Sequence, residues 1–309
     1  MHVVPMPDTI LDCVVAVVSV ESMTYCVGLR LHRGLVFLAD SRTNAGVDHI
    51  STFRKLTVFE RPGDRVMVLM SAGNLALSQA VANVLSEDFA KRAEMSIWQA
   101  PNMFEAARRV GEAVRLVHDR DAEPLAAHGV DFNVSLIFGG QIGNERCRLF
   151  QVYSAGNFIE ALDEQTYFQI GESKYGKPII DRVVRPDTEL DEAAKCALIS
   201  MDSTLRSNIS VGLPLDLLVY EADSLRVSRF ASIDEHNLYF RMIRNTWGER
   251  LRQVFSEIAD PEWVSSASPD SLVPHGLLHE PVRARPLTGE DVELVARQTL
   301  AEGPGGTPG

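Results

Sequence analysis

Strands and helices come in blocks along this chain, and that order constrains the fold more than any single motif. From Thr24, the residues Tyr25, Val27, Leu29 and Leu31 alternate with Thr24, Cys26, Gly28 and Arg30, the period of a strand with two different faces. His32-Arg33-Gly34 reads as a tight turn and 35–39 as a second, buried strand ending at Asp40, so the block opens with a hairpin. After a polar loop over 43–51, strands are predicted at 55–59 and 65–71, separated by Arg61-Pro62-Gly63-Asp64. Two helices follow. One is capped by Asn74 and carries Leu75, Ala76, Val81, Val84 and Leu85; the other covers 103–119, with Phe104, Ala107, Val110, Val114 and Val117 at helical spacing.

The order then repeats. Strands are predicted at 133–138 and 148–154, on either side of a turn region holding Gly139-Gly140 and Gly143-Asn144, and at 166–170, where Gly171 breaks the run. Helices fit 175–184 and 192–206, strands return at 215–221 and 225–230, and an amphipathic helix over 237–258 closes the compact part. A doubly wound sheet alternates strand and helix singly, and this chain does not. Its blocks fit an α+β fold, two antiparallel sheets stacked face to face with helices outside.

An apolar share of 45% in 309 residues provides for one large domain with tails. We expect 24–258 to be that domain, 1–23 a dispensable extension or misassigned start, and 259–309 a C-terminal arm, rich in Ser, Pro, Gly and charge. A net charge of −12 with no Lys/Arg cluster argues against nucleic acid as a partner. The apolar stretch 10–20 is too short to span a bilayer and lacks a basic flank and a cleavage site, so neither a membrane anchor nor a secretory signal is expected. Cys13, Cys26, Cys147 and Cys196 stand far apart with no metal-ligand spacing, which fits reduced, inert thiols in a cytoplasmic protein with no metal.

The residues that can carry chemistry sit at strand ends. Thr24 begins the first strand, Asp40 ends its hairpin partner and Lys55 begins the third, so the three can converge on one sheet edge. A threonine at a chain's N-terminus can use its own α-amine, with a reference pKa of about 7.7–8.0, as the base that activates its hydroxyl. Lys55 beside Asp40 would add a positive field, and an amide N–H at Ser71-Ala72-Gly73 would suit an oxyanion. Each residue also has a plainer role: Thr24 as a β-branched strand residue, Asp40-Ser41-Arg42 as a solvated turn, Lys55 as an edge lysine, Gly73 as a turn.

The runs Met23-Thr24-Tyr25-Cys26-Val27-Gly28-Leu29 and Gly34-Leu35-Val36-Phe37-Leu38-Ala39-Asp40-Ser41-Arg42-Thr43-Asn44-Ala45-Gly46 resemble the opening of proteasome β-type subunits, most of all the bacterial branch called Anbu, the ancestral β subunit. Ile50-Ser51-Thr52-Phe53-Arg54-Lys55 and Ile170-Gly171-Glu172-Ser173-Lys174-Tyr175-Gly176-Lys177-Pro178 resemble the same branch, and the likeness covers about 24–255. It implies an Ntn-hydrolase fold, a four-layer αββα sandwich of two antiparallel sheets flanked by helices, with Thr24, Asp40 and Lys55 as the catalytic set. It further implies polar support near the nucleophile. Ser210 matches the family's second serine, Ser207 stands where an Asp is usual, and Glu172-Ser173 stands where Ser-Gly is usual, which leaves Ser173 a candidate.

The function implied is a threonine-type endopeptidase that cleaves peptide bonds through an acyl-enzyme on Thr24, without a cofactor. Alternatives are a ring-forming structural subunit with little turnover and an Ntn amidase acting on a small amide. The nucleophile needs a free amine, so Thr24 must be exposed, either by translation from Met23 and trimming or by removal of 1–23 as a propeptide. A homo-oligomeric ring or open ring is expected, with interfaces on helix faces at 74–89 and 103–119.

Overall fold

The computed structural model describes residues 24–44, 50–91 and 96–261. The extension 1–23, the arm beyond 261, and Ala45 and Gly46 of the opening motif lie outside the described residues. The chain divides into two units, Met1–Trp247 and Gly248–Gly309.

The first unit holds two five-stranded antiparallel sheets. One has the order β10-β1-β2-β11-β12, from β1 (Tyr25–Leu31), β2 (Gly34–Asp40), β10 (Tyr167–Gly171), β11 (Leu215–Glu221) and β12 (Arg229–Ile233). The other runs β5-β6-β7-β8-β9, from β5 (Leu56–Arg61), β6 (Arg65–Gly73), β7 (Val134–Ile142), β8 (Arg148–Val152) and β9 (Phe158–Glu160). The loop expected over 43–51 instead contributes to a ribbon of β3 (Arg42–Asn44) and β4 (Ile50–Thr52). These strands hold only polar residues and one isoleucine, too few apolar positions for a strand pattern to show.

Alternation along each strand sends one face to a helix layer and the other to the opposite sheet. Tyr25, Val27, Leu29, Val36 and Leu38 pack under α3 (Lys177–Val183) and α4 (Leu190–Ser207), which bring Ile180, Ala193, Ala197 and Met201. Their neighbours Cys26, Leu35, Phe37 and Ala39 face Val66, Val68, Met70 and Ile137 of the second sheet. Beyond that sheet, Leu69, Leu136, Phe138 and Phe150 meet Leu77, Val81 and Leu85 of α1 (Leu75–Lys91) and Met103, Val110, Val114 and Val117 of α2 (Met103–Ala127). Three apolar cores between four layers make the αββα sandwich that the block order implied. Burial on both faces is what lets β1 and β2 be buried at every position.

Two sequence expectations shift. Gly139-Gly140 is not a turn: β7 runs through it to Ile142, because a side chain at 139 would press within 2.7 Å of Leu149 and 3.1 Å of Phe37 in the inter-sheet core. The last strand begins at Arg229 rather than Leu225, since Asp223 and Leu225 take φ of 65° and 43° and Val227 N donates to Glu60 Oε1 at 2.8 Å. Most of the apolar stripes of α1 and α2 pack on their own sheet, while Ala76 and Phe104 stay exposed. Helix α5 (Leu238–Glu257) brings Phe240 and Ile243 into the first core. No described helix is long and apolar enough to cross a membrane.

Candidate active site

The hairpin of β1 and β2 places Tyr25 beside Asp40, the residue after the last ladder pair Cys26–Ala39. Asp40 is fully buried, and its Oδ1 accepts from Tyr25 N at 3.0 Å and from Lys55 Nζ at 2.8 Å. Lys55 stands immediately before β5, is 5% exposed, and donates also to Arg42 O at 2.7 Å. The Lys55 carbonyl accepts from Ser71 N at 3.1 Å, so the second sheet carries the ammonium to the first. Thr24, 5% exposed, is joined by one peptide bond to the amide that Asp40 holds. Thr24, Asp40 and Lys55 therefore do meet at one edge of the sandwich.

Burial pushes the Asp40 carboxyl up, while the Lys55 ammonium and the amides of Tyr25 and Gly212 pull it back. Gly212 N reaches Asp40 Oδ2 at 3.3 Å from the loop between α4 and β11. An added Cβ at 212 would lie 2.0 Å from Arg42 Nε, so a side chain there requires Arg42 to move. Arg42 in turn donates to Ile209 O at 2.9 Å, and Ser41 N donates to Pro214 O at 2.9 Å, so the loop is tied to the start of the ribbon. Next to the Asp40–Lys55 pair opens a cleft of about 440 Å³ lined by Arg42, Val211, Gly212, Pro214, Asp234 and Glu235.

The expected supporting residues are placed unequally. Gly73 ends β6 with φ 103°, and a Cβ there would lie 2.4 Å from Asn133 O, so its glycine is required by the turn into α1. Ser71 O lies 3.7 Å from Cys26 Sγ, which brings this strand end over the β1 start. Ser210 is half-buried in the α4–β11 loop, with its N–H on Asn208 Oδ1 at 2.8 Å. Ser173 is half-buried and accepts Lys177 N at its carbonyl. Ser207 ends α4 exposed, and the residue after it, Asn208, is the one that turns toward the site.

Sequence reasoning passed over Glu172 and Asn208 as functional groups. Glu172 is 7% exposed, its N–H donates to Thr24 O at 2.7 Å, and its Oε2 accepts from Asn208 Nδ2 at 3.0 Å. The signal available was an acidic residue where the family usually has Ser, next to a glycine closing a strand. Among the described residues, no group of three or more His, Cys, Asp or Glu is placed to hold a metal ion.

Comparison with known proteins places this geometry. The proteasome subunit family profile matches residues 20–217. Anbu (ancestral beta-subunit) from Yersinia bercovieri is 52% identical with TM-score 0.73, covering 77% of this chain and 99% of its own. The helical assembly of the Anbu complex from Pseudomonas aeruginosa gives 46% identity and TM-score 0.74, over 77% of this chain and 98% of its own. Proteasome subunit beta 2 of Pyrobaculum calidifontis is 25% identical over 201 residues, 65% of this chain and 90% of its own. The match runs through both sheets and through the strand ends that carry Thr24, Asp40 and Lys55; the chain belongs to the proteasome subunit family, in its Anbu or ancestral β-subunit branch.

Proposed function

We propose that the chain is an N-terminal-nucleophile threonine hydrolase that cleaves peptide bonds once Thr24 is the first residue. The observation that carries this reading is the buried Lys55–Asp40 pair, hydrogen-bonded to the amide next to Thr24. Taking two charges out of water costs several kcal/mol per ion and often gives no net stability. A fold with no use for that pair gains as much from apolar side chains of the same size.

In this reading the Thr24 α-amine takes the hydroxyl proton as Oγ attacks the scissile carbonyl, aided by the positive field of Lys55. The peptide C–N bond breaks and the departing amine carries the proton away. Water then attacks the ester, releases the acid and restores Thr24. An amide N–H at the Ser71-Ala72-Gly73 strand end serves the oxyanion. The cleft lined by Arg42, Asp234 and Glu235 lies on the Gly212 side of the pair and carries both charge signs. Residues 24–258 form the hydrolase domain, 1–23 must be absent from the working enzyme, and 259–309 form an arm. The solved Anbu complex of Pseudomonas aeruginosa is a helical assembly, which supports homo-oligomerisation of this chain too.

Incubation with a mixed peptide library, read by mass spectrometry, tests the activity. Cleavage that Thr24→Ala abolishes and Thr24→Ser partly keeps supports the reading; cleavage that survives Thr24→Ala contradicts it.

A further inference from the structure

Resting on that reading, we propose that Glu172, oriented by Asn208, is the positioning residue that seats the Thr24 α-amine. The register leads there directly. Tyr25 is opposite Gly171 on β10, so one step further Thr24 is opposite Glu172, and the Glu172 N–H closes that step on Thr24 O at 2.7 Å. Residues opposite across such a ladder keep their Cβ atoms about 5 Å apart. Asp40 is already engaged by Lys55, Tyr25 N and Gly212 N, which leaves it little capacity for a further donor.

Glu172 is differently placed. Its buried side chain accepts from Asn208 through Oε2, and Lys174, two-thirds exposed, lies 3.8 Å from that same oxygen. The Asn208 side chain is fixed by its Oδ1, which accepts from Ser210 N, and by its place at the end of α4. The charged groups around residue 24 are thus Asp40, Lys55, Glu172 and Lys174, with Arg42 on the adjoining ribbon. Glu172 is a buried carboxylate within reach of a new N-terminus that is not already paired with a buried cation. It holds the amine on the side of Oγ and favours its protonated form. Catalysis with the neutral amine is thereby moved to higher pH.

The test is the second-order rate of acylation by a β-lactone, followed by intact mass from about pH 5 to pH 9 on protein whose mass places Thr24 first. Oγ attacks the lactone carbonyl, the ring C–O bond breaks, and the proton passes from Oγ through the amine to the new hydroxyl. Glu172→Gln is expected to move the acid limb of that profile down by about one pH unit, because the carboxylate no longer holds the proton on the amine. Asn208→Ala keeps the charge but frees the side chain, and is expected to lower the rate about tenfold with the limb in place. A Glu172→Gln profile that superposes on the wild type, or an Asn208→Ala rate equal to it, overturns this assignment alone. No label on wild-type Thr24 overturns both this assignment and the nucleophile it rests on.

Discussion

Replacing Lys55 by Met removes the ammonium from a carboxylate with no solvent exposure and leaves it only two amides, at 3.0 and 3.3 Å. A buried charge stranded in this way costs about 3–5 kcal/mol. The protein has an escape, which is to protonate Asp40. With an unfolded-state value of about 3.9, holding that proton costs about 4 kcal/mol at pH 7 and about 1.5 kcal/mol at pH 5. Loss of the bond to Arg42 O adds about 1 kcal/mol at any pH. Burial already raises the native Asp40 value, and losing Lys55 raises it further. The native state therefore keeps the proton while the unfolded chain releases it, so stability is fully present below about pH 4 and is lost as pH rises toward the native value. Urea denaturation of the full chain at pH 5 and pH 7.5 reads this directly. The deficit of Lys55→Met against wild type should be larger at pH 7.5 by about 2 kcal/mol, and Asp40→Asn with Lys55→Met should remove the difference. A deficit equal at both pH values, or below about 0.5 kcal/mol throughout, refutes the energetic coupling of the pair.

Gly212→Ala brings a Cβ to 2.0 Å from Arg42 Nε, which displaces the Arg42 guanidinium from Ile209 O and should lower stability by about 1 kcal/mol in urea; unchanged stability contradicts the loop packing. Burial pushes the Cys196 thiol up to about 11 and the Cys147 thiol up to about 12, and holds Cys26 higher still. All three stay protonated at pH 8, so iodoacetamide should modify them only after denaturation; labelling of any of them in the native protein counts against that burial. Light scattering after size exclusion should give a mass well above one chain, and a stable monomer at micromolar concentration contradicts homo-oligomerisation.

Much of the fold was legible because its signals are local. Strand β11 falls where its apolar run predicts, and Asn74 caps α1 through Oδ1, which accepts from the amides of Ala76 and Leu77. Gly139-Gly140 misled because a glycine needed for close packing between two sheets looks the same in sequence as one needed for a turn. Helix α2 extends past 119 to Ala127, through Pro124 and the charged Arg120, Asp121 and Glu123, a stretch with too few apolar positions to show a helical period. The meeting of Thr24, Asp40 and Lys55 was foreseeable, since each marks a strand end and antiparallel pairing brings such ends together. The Glu172–Asn208 contact was not. It joins residues 36 apart across two elements, and only the path of the α4–β11 loop decides whether Ser207 or Asn208 reaches Glu172.

In the proposed mechanism residue 24 becomes a free terminal threonine whose hydroxyl and amine work against the Lys55–Asp40 pair. Intact-mass analysis of the purified protein, before and after a β-lactone, measures both halves at once. The expected result is a mass beginning at Thr24 and one added acyl group, mapped to Thr24 and absent from Lys55→Met. A chain that keeps residues 1–23 and still takes the label, or a processed chain labelled anywhere but Thr24, contradicts it.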